Sequence, residues 1–181
     1  MPNHCELLIT VKGPDFRKVV EAMKPKTKPD TEEEYIPCPL HVLYPIPKSL
    51  TAVSSPPPRL YKEWVQAGAN PDDIKDEFRP YADNLKNHGS PEWYTWCNTH
   101  WGSKWGIYDI FDVKEEESSL TFGGTSAWGP PTAGLEALTR KLDIEIRVRF
   151  VEPGMGYMGL AEIRGGSVER EVYSNQCTAD L

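Results

Sequence analysis

Cys97 and His100 stand three residues apart within EWYTWCNTHWGSKW, residues 92–105. On a helix this spacing puts a thiol and an imidazole on one side, where they could fill two corners of a tetrahedral metal site or act as nucleophile and base. A metal would need His88, His4 or Cys5 from remote parts of the chain, and the second tight ligand pair of a structural zinc site is missing. Cys5, Cys38, Cys97 and Cys177 form no CxxC pair, so spacing supports neither a zinc ribbon nor an iron–sulfur cluster and points to reduced, buried thiols. No cofactor or metal is expected.

Gly154-Met155-Gly156-Tyr157-Met158-Gly159 fits the GxGxxG pattern of dinucleotide sites. That chemistry requires a helix N-terminus after the glycines to receive a pyrophosphate. An alternating strand follows instead, so the glycines read as a close-packed loop. Nor do the residues gather a nucleophile, a base and a group to orient it, and the chain reads as binding rather than catalysing. What remains is recognition. The rings of Trp96, Trp101, Trp128 and Tyr157, with Asn98, His100, Lys104 and Glu152 as polar contacts, could line a pocket for a base, a peptide or a small planar ligand. Against this stands the ordinary use of an aromatic stripe at helical spacing, which is to pack a core.

The elements that would position these groups follow from periodicity. Glu6–Val11 is a short apolar strand ending at Lys12-Gly13-Pro14. Asp15 is placed to cap a helix with Phe16, Val19, Val20 and Met23 on one face, which Pro25 stops. Nine of the seventeen prolines lie between Lys24 and Pro58, where missing backbone donors predict an extended, irregular connection. Residues 58–67 and 71–85 have helical composition around a stop at Gly68-Ala69-Asn70-Pro71. Ser90-Pro91-Glu92 predicts a capped helix start, and Trp93, Trp96, Cys97, His100 and Trp101 fall on one stripe of about three turns.

Residues 104–113 then read as a strand apolar on both faces, which implies cover on both sides, with a partner strand over 120–128. Thr132 caps a helix bearing Leu135, Leu138 and Leu142. Ile144, Ile146, Val148 and Phe150 alternate with polar residues, and a hairpin over 157–163 and 168–173 turns at Arg164-Gly165-Gly166-Ser167. The order is the ferredoxin-like βαββαβ pattern plus a C-terminal hairpin, an α+β fold with two helices on one face of an antiparallel sheet. Residues 1–181 read as one such domain carrying residues 25–103 as an insertion, Pro-rich over 25–58 and helical over 58–102.

MPNHCELLITVKGP, EWYTWCNTHWGSKWGIYD, TSAWGPP and EPGMGYMGLAEI together resemble the YubB-type ferredoxin-like family of plasmid- and phage-borne proteins, with His4 where that family usually has Trp. The resemblance covers the first strand and roughly the last ninety residues. It implies the fold and a mobile-element setting, and it carries no activity.

The net charge of −7 argues against non-specific nucleic-acid binding and favours a protein partner. No run approaches the ~20 apolar residues of a membrane span, and the N-terminus lacks the pattern of a signal peptide, so a cytoplasmic chain is expected. The expected role is an accessory protein recognising another macromolecule through its sheet and insertion, with self-association through the C-terminal hairpin edge as a further expectation. The alternative is a small-molecule or nucleotide-binding protein, hydrolytic in one version, with its pocket among the Trp helix, the Trp128 turn and the 152–159 loop.

Overall fold

In the computed structural model, which describes residues 3–68 and 74–174, the chain divides into two compact units, Met1–Pro45 with Trp101–Leu181, and Ile46–His100. The first strand, β1 (His4–Lys12), alternates strictly, burying Cys5, Leu7, Ile9 and Val11 and leaving His4, Glu6, Leu8 and Lys12 exposed. Helix α1 (Phe16–Ala22) returns across the buried face through Phe16 and Val19. Asp15 holds the position before it, but its carboxylate accepts the N–H of Asp143 (3.2 Å) and pairs with Lys18 (2.9 Å) instead of capping the helix.

The Pro-rich stretch is more regular than its proline content predicts. It forms a two-residue hairpin of β2 (Lys26–Thr27) and β3 (Glu34–Tyr35), then α2 (Pro39–Leu43) and α3 (Lys48–Thr51). The prolines sit where they cost least: Pro39 opens α2 at a position whose N–H has no helical partner, and Pro47 precedes α3.

The unit Ile46–His100 has its own core. α4 (Arg59–Gln66) and α5 (Arg79–His88), the latter entered through a 3₁₀ turn at Asp76–Phe78, bury Tyr61, Ile74, Phe78 and Tyr81 together. Gly89 ends α5 in the left-handed conformation suited to glycine (φ 69°). The predicted restart at Ala69-Asn70-Pro71 lies outside the described residues, as does Cys177. α6 (Trp93–His100) is two turns long where three were expected. Its start is held by Glu92 rather than Ser90: the buried carboxylate accepts the N–H groups of Tyr94 (2.6 Å) and Thr95 (3.0 Å), while Ser90 Oγ, also buried, has no hydrogen-bond partner among the described residues.

The remaining elements complete the sheet: β4 (Tyr108–Glu115), β5 (Ser119–Ala127), α7 (Thr132–Lys141), β6 (Glu145–Glu152), β7 (Tyr157–Arg164) and β8 (Ser167–Ser174). All six long strands pair antiparallel in the order β4-β5-β1-β6-β7-β8. The first four of these are the ferredoxin-like arrangement, with β7 and β8 extending it by a meander. Gly165 and Gly166 make the β7–β8 turn with φ of 57° and 87°, the conformation of a two-residue primed turn. α7 buries Leu135 and Leu138; Thr132 is its first residue and makes no side-chain cap, and the carbonyl of Trp101 instead accepts the N–H of Gly134 (3.1 Å).

β4 departs from expectation. Only Tyr108 and Ile110 are half-buried along it, because β4 is an edge strand broken by two register shifts, with Asp109 and Asp112 at positive φ (48° and 50°). Two-sided apolar composition here does not mean two-sided burial. Leu8, Phe111 and Val172, all on the sheet face away from α1 and α7, are 44%, 50% and 47% exposed.

Candidate functional site

The residues singled out in sequence fall in both compact units. Trp96, Asn98 and His100 lie on α6, in the unit Ile46–His100. Trp96 is buried and stacks on the His100 ring (centroids 4.5 Å apart), His100 Nδ1 lies 3.1 Å from the Trp96 carbonyl, and Asn98 donates to the Tyr94 carbonyl (2.8 Å). Cys97 is buried, and burial first, then the negative charge of Glu92, pushes its thiol up to about 12. A thiol held protonated this firmly is a packing group at neutral pH.

Trp101 and Lys104 belong to the other unit. Trp101 is fully buried, stacked on His41 (4.9 Å) with Nε1 donating to the Tyr44 carbonyl (3.1 Å), while Lys104 Nζ lies 4.2 Å from the centre of the Trp105 ring.

Trp128, Glu152 and Tyr157 are brought together at one end of the sheet. Trp128 has φ 66°, uncommon for a bulky residue, and the residue is 43% exposed. Its backbone is held from both sides: the N–H donates to the Asn3 carbonyl (2.9 Å), and its own carbonyl accepts the Tyr157 hydroxyl. Glu152 is buried, and its carboxylate accepts the N–H groups of Gly154 (2.8 Å) and Met155 (2.6 Å), tying the 153–156 turn to the end of β6. Beside them lies an open cleft of about 720 Å³ lined by Gly129, Pro130, Thr132, Met155, Tyr157 and Tyr173. Of the candidate binding residues named from sequence, Tyr157 lines it, and Gly129, Pro130 and Met155 come from the Trp128 turn and the 152–159 loop.

Beneath this end Cys5 is buried opposite Ser126 in the β1–β5 register. Desolvation, then the Glu152 charge, pushes the Cys5 thiol up to about 12.

Residues 107–180 match the ferredoxin-like domain in Api92-like protein. The crystal structure of a protein api92 from Yersinia pseudotuberculosis also aligns over 96% of this chain and 98% of that chain, at 12% identity and a TM-score of 0.49. No curated protein matches. The Api92-like domain match begins just before β4 and therefore omits β1, yet β1 is the central strand to which β5 and β6 both pair. Fold completion thus depends on the N-terminal segment as much as on the matched one.

The surface that sequence reading passed over is the open face of this sheet. Pairing aligns Phe111, Gly123, Leu8, Arg149, Leu160 and Val172 into one row crossing all six strands, about 24 Å at the usual strand spacing. Val151 and Met158, paired in a neighbouring row, add two half-buried apolar side chains. On its other side runs a polar row in which Glu162 lies between Arg147 (3.0 Å) and Arg170 (3.8 Å), and Thr10 and Thr121 share a hydrogen bond (3.3 Å). Each strand contributes one residue to the apolar row, so no single segment of sequence displays it.

Proposed function

We propose that the protein is a non-catalytic recognition module that binds another protein across the open face of its six-stranded sheet. The observation that carries this is the row from Phe111 to Val172, an apolar stripe left exposed on a face otherwise framed by charged side chains. Regular, half-solvated antiparallel sheets ordinarily place polar groups on the wet side. Leu8 at the centre of the sheet breaks that rule, and covering the 44% of it left exposed would stabilise a complex by about 1 kcal/mol. The resemblance to plasmid- and phage-borne proteins favours an accessory role in a mobile element as the setting.

The test is cross-linking capture with the intact protein and with Leu8→Gln/Val172→Gln. The reading requires that a protein cross-linked through the sheet face is lost with the double variant and kept with Trp128→Ala. Capture that survives the double variant and fails with Trp128→Ala would move recognition to the Trp128 end.

The 720 Å³ cleft beside Tyr157 and Tyr173 supports a second reading, a site for a small planar ligand. A thermal-shift screen of nucleotides and metals, repeated on Tyr173→Ala, tests it.

A further inference from the structure

The open face has a charge opposite to that of the chain that carries it. Lys12, Lys114, Arg147, Arg149, Arg164 and Arg170 stand on it against Glu6, Glu145 and Glu162, with Glu169 a fourth carboxylate at the β8 bulge, on a chain of net charge −7. Three of the cations are already engaged: Arg147 and Arg170 with Glu162, and Arg164 with Glu145 (3.1 Å). Lys12, Lys114 and Arg149 have no carboxylate within ion-pair distance among the described residues. Arg149 lies within the apolar row itself, between Leu8 on β1 and Leu160 on β7.

We propose that the open face takes an acidic protein segment in which carboxylates are flanked by apolar side chains, with Arg149 as the central anion contact and Leu8, Leu160 and Val172 as the apolar seats. This rests on the reading of the sheet face as a recognition surface and names the chemistry of its partner. A guanidinium set among apolar groups and lacking an internal partner is matched best by a carboxylate that arrives with apolar neighbours, since the pair then forms with much of its surroundings desolvated. An acidic chain that concentrates uncommitted cations on one face also steers an anionic partner to that face and repels it elsewhere.

Single-stranded nucleic acid is the other anionic macromolecule such a face could attract. It would need rings on the inner strands for bases to stack on. The inner strands present Thr121, Thr125, Leu8 and Leu160 to this face, while Phe111 and Tyr108 stand on the edge strand and His4 is hydrogen-bonded to Tyr108 (2.8 Å). The protein segment is therefore favoured.

The experiment measures fluorescence anisotropy of labelled probes with the full chain: an alternating Glu/Leu peptide, its Gln/Leu and Lys/Leu counterparts, and oligothymidylate. The Glu/Leu peptide should bind, weaken with added salt, and weaken at least about tenfold with Arg149→Glu. The variant Arg149→Glu/Lys114→Glu should gain affinity for the Lys/Leu peptide, a reversal that loss of folding cannot mimic. Equal binding of Glu/Leu and Gln/Leu would overturn the acidic partner while leaving the recognition face intact. Stronger binding of oligothymidylate, or binding of no peptide, would also overturn it. Glu/Leu binding unaffected by the charge-neutral Leu8→Gln/Val172→Gln would remove the recognition face itself.

Discussion

The ring of Phe111 lies over the backbone of Gly123, so that a Cβ on Gly123 would overlap the ring at Cε2 and Cζ. The glycine is a seat for the edge-strand aromatic, and it sets where the apolar row begins. Phe111 is half-exposed and the atoms in the way are at the far end of its side chain, so the ring can swing out. Gly123→Ala should therefore change unfolding free energy by no more than about 1 kcal/mol, while weakening partner binding by displacing the ring. Denaturant unfolding and anisotropy on the same variant check the two halves.

Gly159 offers the opposite case. A Cβ there would meet the ring of Phe150 and the backbone carbonyl of Val172, each at 2.5 Å, and the carbonyl belongs to the β7–β8 pairing. Gly159→Ala should cost about 1–3 kcal/mol, read as a lower unfolding midpoint.

Glu152 is predicted to be a stability residue. Glu152→Ala leaves the N–H groups of Gly154 and Met155 without their acceptor and should cost on the order of 2 kcal/mol or more. Hydrogen exchange of those two amides should rise sharply in the variant if the capped turn opens.

Acid should loosen the unit Ile46–His100. Burial pushes the Glu92 carboxyl up, but hydrogen bonds from Ser55, from the Thr95 hydroxyl and from the N–H groups of Thr95 and Tyr94 outweigh it and hold the group below its ordinary 4.5. A carboxyl with a depressed folded value contributes stability that is present above pH ~4.5 and lost as pH falls through the folded value. Glu92→Gln should flatten that acid limb of the unfolding midpoint.

Alkali acts on the thiols with the opposite sense. Cys5 and Cys97 go from 9.0 to about 12 on folding, chiefly through burial, so the unfolded chain loses their protons first. Their contribution is complete below pH ~9 and lost progressively as pH rises towards 12. Cys5→Ala/Cys97→Ala should have a shallower fall in stability across that window, even if its plateau is lower from the lost packing.

The ferredoxin-like order was legible because each strand and helix carries its own local period: β1 and β6 alternate, and α7 repeats its leucines at helical spacing. Glu92, Asp15 and Thr132 show the limit of such signals. All three stand at helix starts, but a side chain's hydrogen-bond partner is chosen in three dimensions, so Asp15 turns to Asp143 and Glu92 displaces Ser90 as the cap. Trp96 and Trp101 are adjacent on one predicted stripe, and they belong to different compact units, whose boundary falls between His100 and Trp101. The open face was least legible, because Leu8, Arg149 and Leu160 become neighbours only through strand pairing.

The most direct test of the central claim is the affinity of the folded, charge-neutral Leu8→Gln/Val172→Gln protein for its captured partner. These are exposed positions, so the variant should keep its unfolding midpoint, each change costing within about 0.5 kcal/mol. Binding should fall at least about tenfold. Unchanged affinity in a variant that folds normally would contradict the account.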